Sequence, residues 1–422
     1  MTARDAVLEH LFAKTTRRGI KLGLERIRAA AAEFGNPQQS YHSIHVAGTN
    51  GKGSVCAFLE SALRHAGHRT GLFTSPHIVA FEERFAIDGA PVSQQDWLDV
   101  YQDLDECIER LGLTFFEAIT LLAFEIFRRR DVRWAVFETG LGGRLDATNA
   151  LAPDACVITT LGIDHAEYLG STLRAIAREK LGIVKKGVPV VMAEPDDAGV
   201  RALARDTCAA RSAPLFMVRP ADISNVVREN ARTCFHYCGR EYVIPLYGAF
   251  QPLNASCAAK ALDVLSCCPA DAVSQGIGAV RLPGRFQVIE REGHVWVFDV
   301  GHNAQAAKVF AQSVAARFGD TPVCLVAGIM KDKDIPAMMA SYAGVCDTFV
   351  TTVPQTDRAC DASILASHVP QGFAGRVHVA PDVGDALERA AAMARGPICV
   401  TGSFYTVGEA MRALGIAPYS PS

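Results

Sequence analysis

One ten-residue segment, His45-Val-Ala-Gly-Thr-Asn-Gly-Lys-Gly-Ser54, constrains this chain more than any other. The apolar run at 43–47 reads as a strand, and helical periodicity follows over 54–66. Between them lies a glycine-rich turn that carries a lysine. Glycines there let backbone N–H groups converge on phosphate oxygens. Lys52 adds a point charge, and the helix N-terminus adds its partial positive charge. Ser54 stands where a hydroxyl can support a magnesium ion or cap the helix. The turn is shorter than the usual phosphate-loop formula, because Val46 occupies the place of its first glycine. Taken alone, the segment could be an ordinary strand-to-helix turn.

A strand that ends in such a turn needs neighbours. Apolar runs at 134–138, 155–161 and 189–193 read as further strands, with helices at 94–110, 114–130 and 172–181. Continuous apolar strands alternating with helices predict a mostly parallel α/β sheet covered on both faces. A second series follows Gly284, with strands at 295–300, 323–328, 348–352, 376–380 and 398–402. Helices at 304–317 and 383–394 lie between them. The expected organisation is a larger unit over 1–283 and a smaller one over 284–422. Polar alternation within 218–245 predicts an antiparallel hairpin. Residues 1–18 read as a short amphipathic helix, since Arg4, Asp5, Glu9 and Lys14 interrupt any signal-peptide core.

Composition narrows the function classes. The chain has 422 residues with 42 Lys+Arg against 45 Asp+Glu, a net charge of −3. No basic excess is available to release counterions from a nucleic acid. No run approaches the about 20 apolar residues of a membrane span, so a cytoplasmic protein is expected. The thirteen cysteines include no CxxC pair and sit mostly in apolar runs, as reduced core residues do. A zinc site at Cys234, His236 and Cys238 would lack a second ligand pair.

Three further constellations carry chemistry. Glu138 ends an apolar strand and precedes Thr-Gly-Leu-Gly-Gly-Arg-Leu-Asp-Ala-Thr-Asn149, a position suited to holding a divalent cation. Asp164-His165 follows the strand near Leu161, with Lys180 further on. Gly284-Arg285-Phe286-Gln287 lies at the unit junction, and Asp299 ends a strand just before Val-Gly-His302-Asn303. Singly, each has an ordinary reading as a loop acid, a structural histidine or a surface charge. Their weight comes from occurring together.

In this order the segments resemble the folylpolyglutamate synthase/dihydrofolate synthase family of the Mur-ligase superfamily, over nearly the whole chain. The diagnostic pieces are AGTNGKGS (47–54), TSPH (74–77), TFFE (114–117), ETGLGGRLDATN (138–149), DHAEYLGSTL (164–173), EKLGI (179–183), GRFQ (284–287) and DVGHN (299–303). The resemblance implies a phosphate-loop ATPase domain of Mur-ligase type and a smaller C-terminal Rossmann-like α/β domain. It implies that Thr49, Asn50, Gly51, Lys52, Gly53 and Ser54 bind ATP with Asn254, Arg285, Asp299 and His302. Ser75, Glu138 and His165 match magnesium positions for two ions, and Lys180 matches a lysine that is carbamylated. Lys52, His165, Lys180 and Arg285 are the implied catalytic residues. Leu22, Gly23, Leu24, Thr114, Phe115, Phe116, Glu117, Leu145, Asp146 and Ala147 match pteroate and folate contacts. Many members of that family carry His where Phe250 precedes Gln251, and EKAGI where this chain has EKLGI, while Lys21 stands where some dual-activity members have an acidic residue.

The implied reaction is ATP-dependent addition of L-glutamate to 7,8-dihydropteroate and to reduced folates through an acyl phosphate. A monomer with neither nucleic-acid nor membrane partners is expected. The alternatives are a polyglutamylase alone, another Mur-type amide ligase, or a phosphate-loop module that binds nucleotide for switching. The set Glu138, His165 and Lys180 speaks against the last, since a switch needs no acceptor-carboxylate site.

Overall fold

The computed structural model describes residues 3–18, 21–229 and 232–419. Its larger sheet contains β1 (His42–Ala47), β2 (Thr70–Phe73), β3 (Phe85–Ile87), β4 (Ala90–Pro91), β5 (Trp134–Glu138), β6 (Ala155–Ile158), β7 (Val190–Ala193) and β8 (Leu215–Val218). Their order is β4-β3-β2-β5-β1-β6-β7-β8. All pairs are parallel except β2 with β3 and β3 with β4. Alternation along the central strands explains the two covered faces. Ala135 and Phe137 point into one apolar cluster, Val136 into another with Val46 and Phe58. Phe137 is fully buried, with the rings of Tyr41, Phe73, Phe124 and Phe127 between 5.4 and 6.3 Å away.

The segment expected as a hairpin forms three antiparallel strands, β9 (Ile223–Glu229), β10 (Arg232–Tyr237) and β11 (Arg240–Ile244). Phe235, Tyr237, Tyr242 and Ile244 alternate into the core. The added strand β9 leaves Val226 and Val227 exposed. Without a buried face it carries no clean apolar alternation for the sequence to reveal.

The smaller sheet contains β12 (Gln287–Arg291), β13 (His294–Asp299), β14 (Cys324–Ala327), β15 (Thr348–Thr351), β16 (Arg376–Val379) and β17 (Ile398–Thr401). Their order is β12-β13-β17-β14-β15-β16, and only β12 with β13 is antiparallel. Residues 3–18 form a helix. Among the described residues, no helix is long and apolar enough to cross a membrane.

Candidate active site

Register places the first two constellations side by side. Val46 pairs with Glu138 across β1 and β5, so the turn after Ala47 starts beside that carboxylate. The helix after the turn runs Lys52–His65, beginning two residues earlier than the periodicity suggested. Gly51 explains the difference: it caps the helix at φ +88°, a conformation open to glycine and strained for other residues. A Cβ on Gly51 would also lie 2.4 Å from Asn254 Oδ1, which places Asn254 directly over the turn.

Glu138 is buried, and one of its oxygens accepts from the Ser75 N–H at 3.1 Å. Its other oxygen lies 4.0 Å from Lys52 Nζ. Burial raises the Glu138 pKa, opposed by Lys52, the Ser75 N–H, Arg285 and Arg84. Arg285 approaches from the junction and sits over the Phe404 ring at 5.1 Å. A Cβ on Gly53 would lie 3.4 Å from Arg285 Nη2 and 3.7 Å from Glu138 Oε2, so turn, carboxylate and guanidinium meet at one point. Burial lowers the Arg285 pKa, opposed by Asp299 and Glu138. Asp299 accepts from the Phe286 and Gly301 N–H groups, at 2.9 and 2.8 Å.

The Asp164-His165 pair faces the smaller unit. Lys333 Nζ donates to Asp164 Oδ1 at 2.7 Å, and Asn303 Nδ2 donates to Oδ2 at 3.2 Å. His302 Nε2 lies 3.7 Å from the same carboxylate. Burial alone would raise the Asp164 pKa, but His165, Lys333 and His302 outweigh it and hold the carboxyl well below its usual range. Burial lowers the pKa of His165 and pulls that of His302 down to about 4. Asn50 Nδ2 donates to Gln305 Oε1 at 2.7 Å, tying the phosphate turn to the smaller unit as well.

Lys180 is buried, and its Nζ donates to Gly48 O at 2.7 Å. Burial pulls its pKa down to about 7, with the Lys52 charge acting the same way. All the residues from Thr49 to Ser54 line one cleft with Ser75, Glu138, His165, Lys180, Asn254, Arg285, Asp299 and His302.

A second, largely apolar cleft adjoins it and shares Ser75, Gly140, His165, His302 and Phe404. Leu22, Gly23, Thr114, Phe115, Phe116, Glu117, Leu145, Asp146 and Ala147 line it. Leu24 does not. Its side chain is buried in the core with Ile27, because the helix Glu25–Glu33 starts just after it and draws it inward. Glu117 is tied down locally: it accepts from the Thr114 N–H and hydroxyl, both at 2.8 Å, and pairs with Arg26 at 2.9 Å.

Several lining residues escaped the sequence reading. Lys333, Arg358 and Tyr405 bring the smaller unit into the second cleft, and Arg84 brings the larger one. Tyr247, Phe286 and Phe310 wall the first cleft. Phe286 sat inside a quoted motif. Lys333 stood among alternating charges at 331–334, where a cleft lysine looks like a surface one.

Family models match the chain in two places, the Mur ligase middle domain at 46–262 and the Mur ligase glutamate ligase domain at 284–404. The dihydrofolate synthase/folylpolyglutamate synthase of Escherichia coli (strain K12) is 32% identical over 410 residues, covering 96% of this chain and 94% of the relative. A Mycobacterium tuberculosis folylpolyglutamate synthase complexed with ADP superposes with a TM-score of 0.90 at 30% identity, covering 99% of both chains. A bifunctional folylpolyglutamate synthase/dihydrofolate synthase from Yersinia pestis, complexed with AMPPNP and Mn ion, gives 0.87 at 30% identity, again over 99% of both.

Proposed function

This chain belongs to the folylpolyglutamate synthase/dihydrofolate synthase family of Mur ligases, and from that membership we propose an ATP-dependent amide ligase that joins L-glutamate to 7,8-dihydropteroate and to reduced folates. The observation that carries this reading is the junction of the two clefts. A phosphate-binding turn, a buried carboxylate and Arg285 stand next to an apolar cleft of a size for an aromatic acid.

A carboxylate is a poor electrophile, because its oxygen is a poor leaving group. Its attack on the γ-phosphorus of ATP gives an acyl phosphate and ADP. The glutamate amine then attacks the acyl carbon and releases phosphate. The protein's part in the first step is positioning and charge neutralisation. Lys52 and the N–H groups of the turn hold the phosphates, and Asn254 and Asp299 lie along the nucleotide. Arg285 neutralises charge on the transferring group. The smaller unit, drawn in by Lys333 and Asn303, shields the acyl phosphate from water.

The donor chemistry fits divalent magnesium. Glu138 is a buried carboxylate with unfilled acceptor capacity, and Ser75 and His165 stand in the same cleft. These three would hold two ions, which supply charge neutralisation at the phosphates and at the acceptor carboxylate. Lys180 as a carbamate would add an anion. A plain ammonium beside two cations is repelled, and a buried amine with a lowered pKa offers the neutral nitrogen that carbon dioxide needs. We take 1–283 as the ATP-binding domain and 284–422 as the glutamate-side domain, acting as a monomer.

The test is a substrate panel with purified protein, scored by ADP release. ADP should appear with ATP, magnesium, L-glutamate and either dihydropteroate or a folate monoglutamate. Turnover with folates alone would leave a polyglutamylase. Turnover with neither acid would overturn the reading.

A further inference from the structure

A hydrogen-bond chain runs from the wall of the second cleft into the centre of the larger sheet. Asp146 lines the cleft while itself almost fully buried. Its Oδ2 accepts from the Leu141 N–H at 2.8 Å, and its Oδ1 accepts from the Thr148 N–H at 3.0 Å. The Thr148 hydroxyl donates to that Oδ1 as well. A hydroxyl has one hydrogen, so the Thr148 oxygen can only accept from its other partner. That partner is His45 Nε2, 2.8 Å away.

His45 must therefore carry its proton on Nε2. The rest of its surroundings agree. Its side chain is fully buried on β1, and Nδ1 is buried with no hydrogen-bond partner. An unprotonated nitrogen tolerates that place far better than a proton without an acceptor would. Burial also holds the imidazole neutral, with its pKa lowered to about 3. The opposite tautomer would turn the Thr148 hydroxyl away from Asp146.

We propose that His45 is a positioning residue for the acid substrate: its Nε2–H orients the Thr148 hydroxyl, which fixes the Asp146 carboxylate to receive the heterocyclic end of a pteroate. This rests on the reading of the second cleft given above. A 2-amino-4-oxopteridine presents neighbouring N–H donors, and a carboxylate held in one plane accepts them as a pair. Without the hydroxyl, Oδ1 keeps only the Thr148 N–H, so the carboxylate is held less firmly in that plane and part of its ordering falls to binding.

The experiment uses the full chain with His45→Leu, His45→Gln, Thr148→Val and the double variant His45→Leu/Thr148→Val. Rates of ADP release are measured with dihydropteroate and ATP varied separately. His45→Leu and Thr148→Val are each expected to raise the KM for dihydropteroate roughly tenfold, the scale of one hydrogen bond to a charged group. The KM for ATP should stay as in the unaltered protein. The double variant should be no worse than the poorer single one, because both break the same chain. His45→Gln keeps an N–H donor and should recover most of the loss. KM values for ATP and dihydropteroate that rise together, additive losses, or a Gln variant as poor as Leu would make His45 a space-filling core histidine. If His45→Leu does not fold, Thr148→Val and His45→Gln decide the question by equilibrium binding of dihydropteroate. An unaltered protein that never turns over dihydropteroate removes the dihydrofolate synthase activity on which this inference rests. One that does, with variants equal to it, overturns only the positioning role.

Discussion

Lys333 Nζ lies 2.7 Å from Asp164 Oδ1, and this ion pair joins the two α/β units across the mouth of the cleft. The two side chains are only 5% and 9% exposed, so neither charge can be satisfied by water when the other is removed. Lys333→Met would leave Asp164 buried beside His165, His302 and Asn303 alone. Breaking a buried pair this way costs up to about 3–5 kcal/mol. The units should part more readily, seen as a larger radius of gyration by small-angle scattering with nucleotide bound. ADP release without glutamate should also rise, as water reaches the acyl phosphate. An unchanged scattering curve would mean that other contacts set the closure.

Gly51→Ala tests the phosphate turn. The residue sits at φ +88°, where an alanine is strained by about 1–2 kcal/mol. Its Cβ would also run into Asn254 Oδ1. ATP affinity should fall by roughly tenfold or more, read by nucleotide titration. The fold should persist by circular dichroism, because the turn lies outside the apolar clusters.

Arg285→Ala should separate catalysis from binding. Its charge matters most where charge develops on the transferring group. We expect kcat to fall by ~10³-fold with little change in the Kd for ATP. Equal losses in both would reduce Arg285 to a ground-state contact.

Lys180 gives a pH signature. Its pKa is lowered to about 7 in the fold, from 10.5 as the ordinary value. Below about pH 7 the amine is protonated and cannot take up carbon dioxide. Activity should therefore fall as pH drops through 7, and added bicarbonate should oppose the fall. Lys180→Ala should lose most activity and regain part of it with a short carboxylic acid. The linkage runs the same way: between about pH 7 and 10.5 the unfolded chain binds the extra proton, so stability rises with pH across that window. Full activity in Lys180→Ala would return the residue to a structural role as donor to Gly48 O.

Local chemistry made much of this protein legible from its sequence. The glycine turn after β1, the carboxylate ending β5 and the apolar strand runs each depend on a few adjacent residues, and the parallel sheet follows from their alternation with helices. Tertiary structure decided what local pattern cannot carry. Leu24 and Leu22 are both apolar and two residues apart, yet one is buried in the core and the other lines the cleft, because the helix beginning at Glu25 sets which way each faces. Lys333 reads as one more surface charge until the smaller unit carries it 169 positions back along the chain to Asp164. The strand β9 has no apolar alternation and exists only because β10 offers it an edge. His45 looks like any strand residue, and only its distance to Thr148 assigns its proton. Such contacts are formed between residues far apart in sequence, and their energies depend on burial and orientation that folding alone creates.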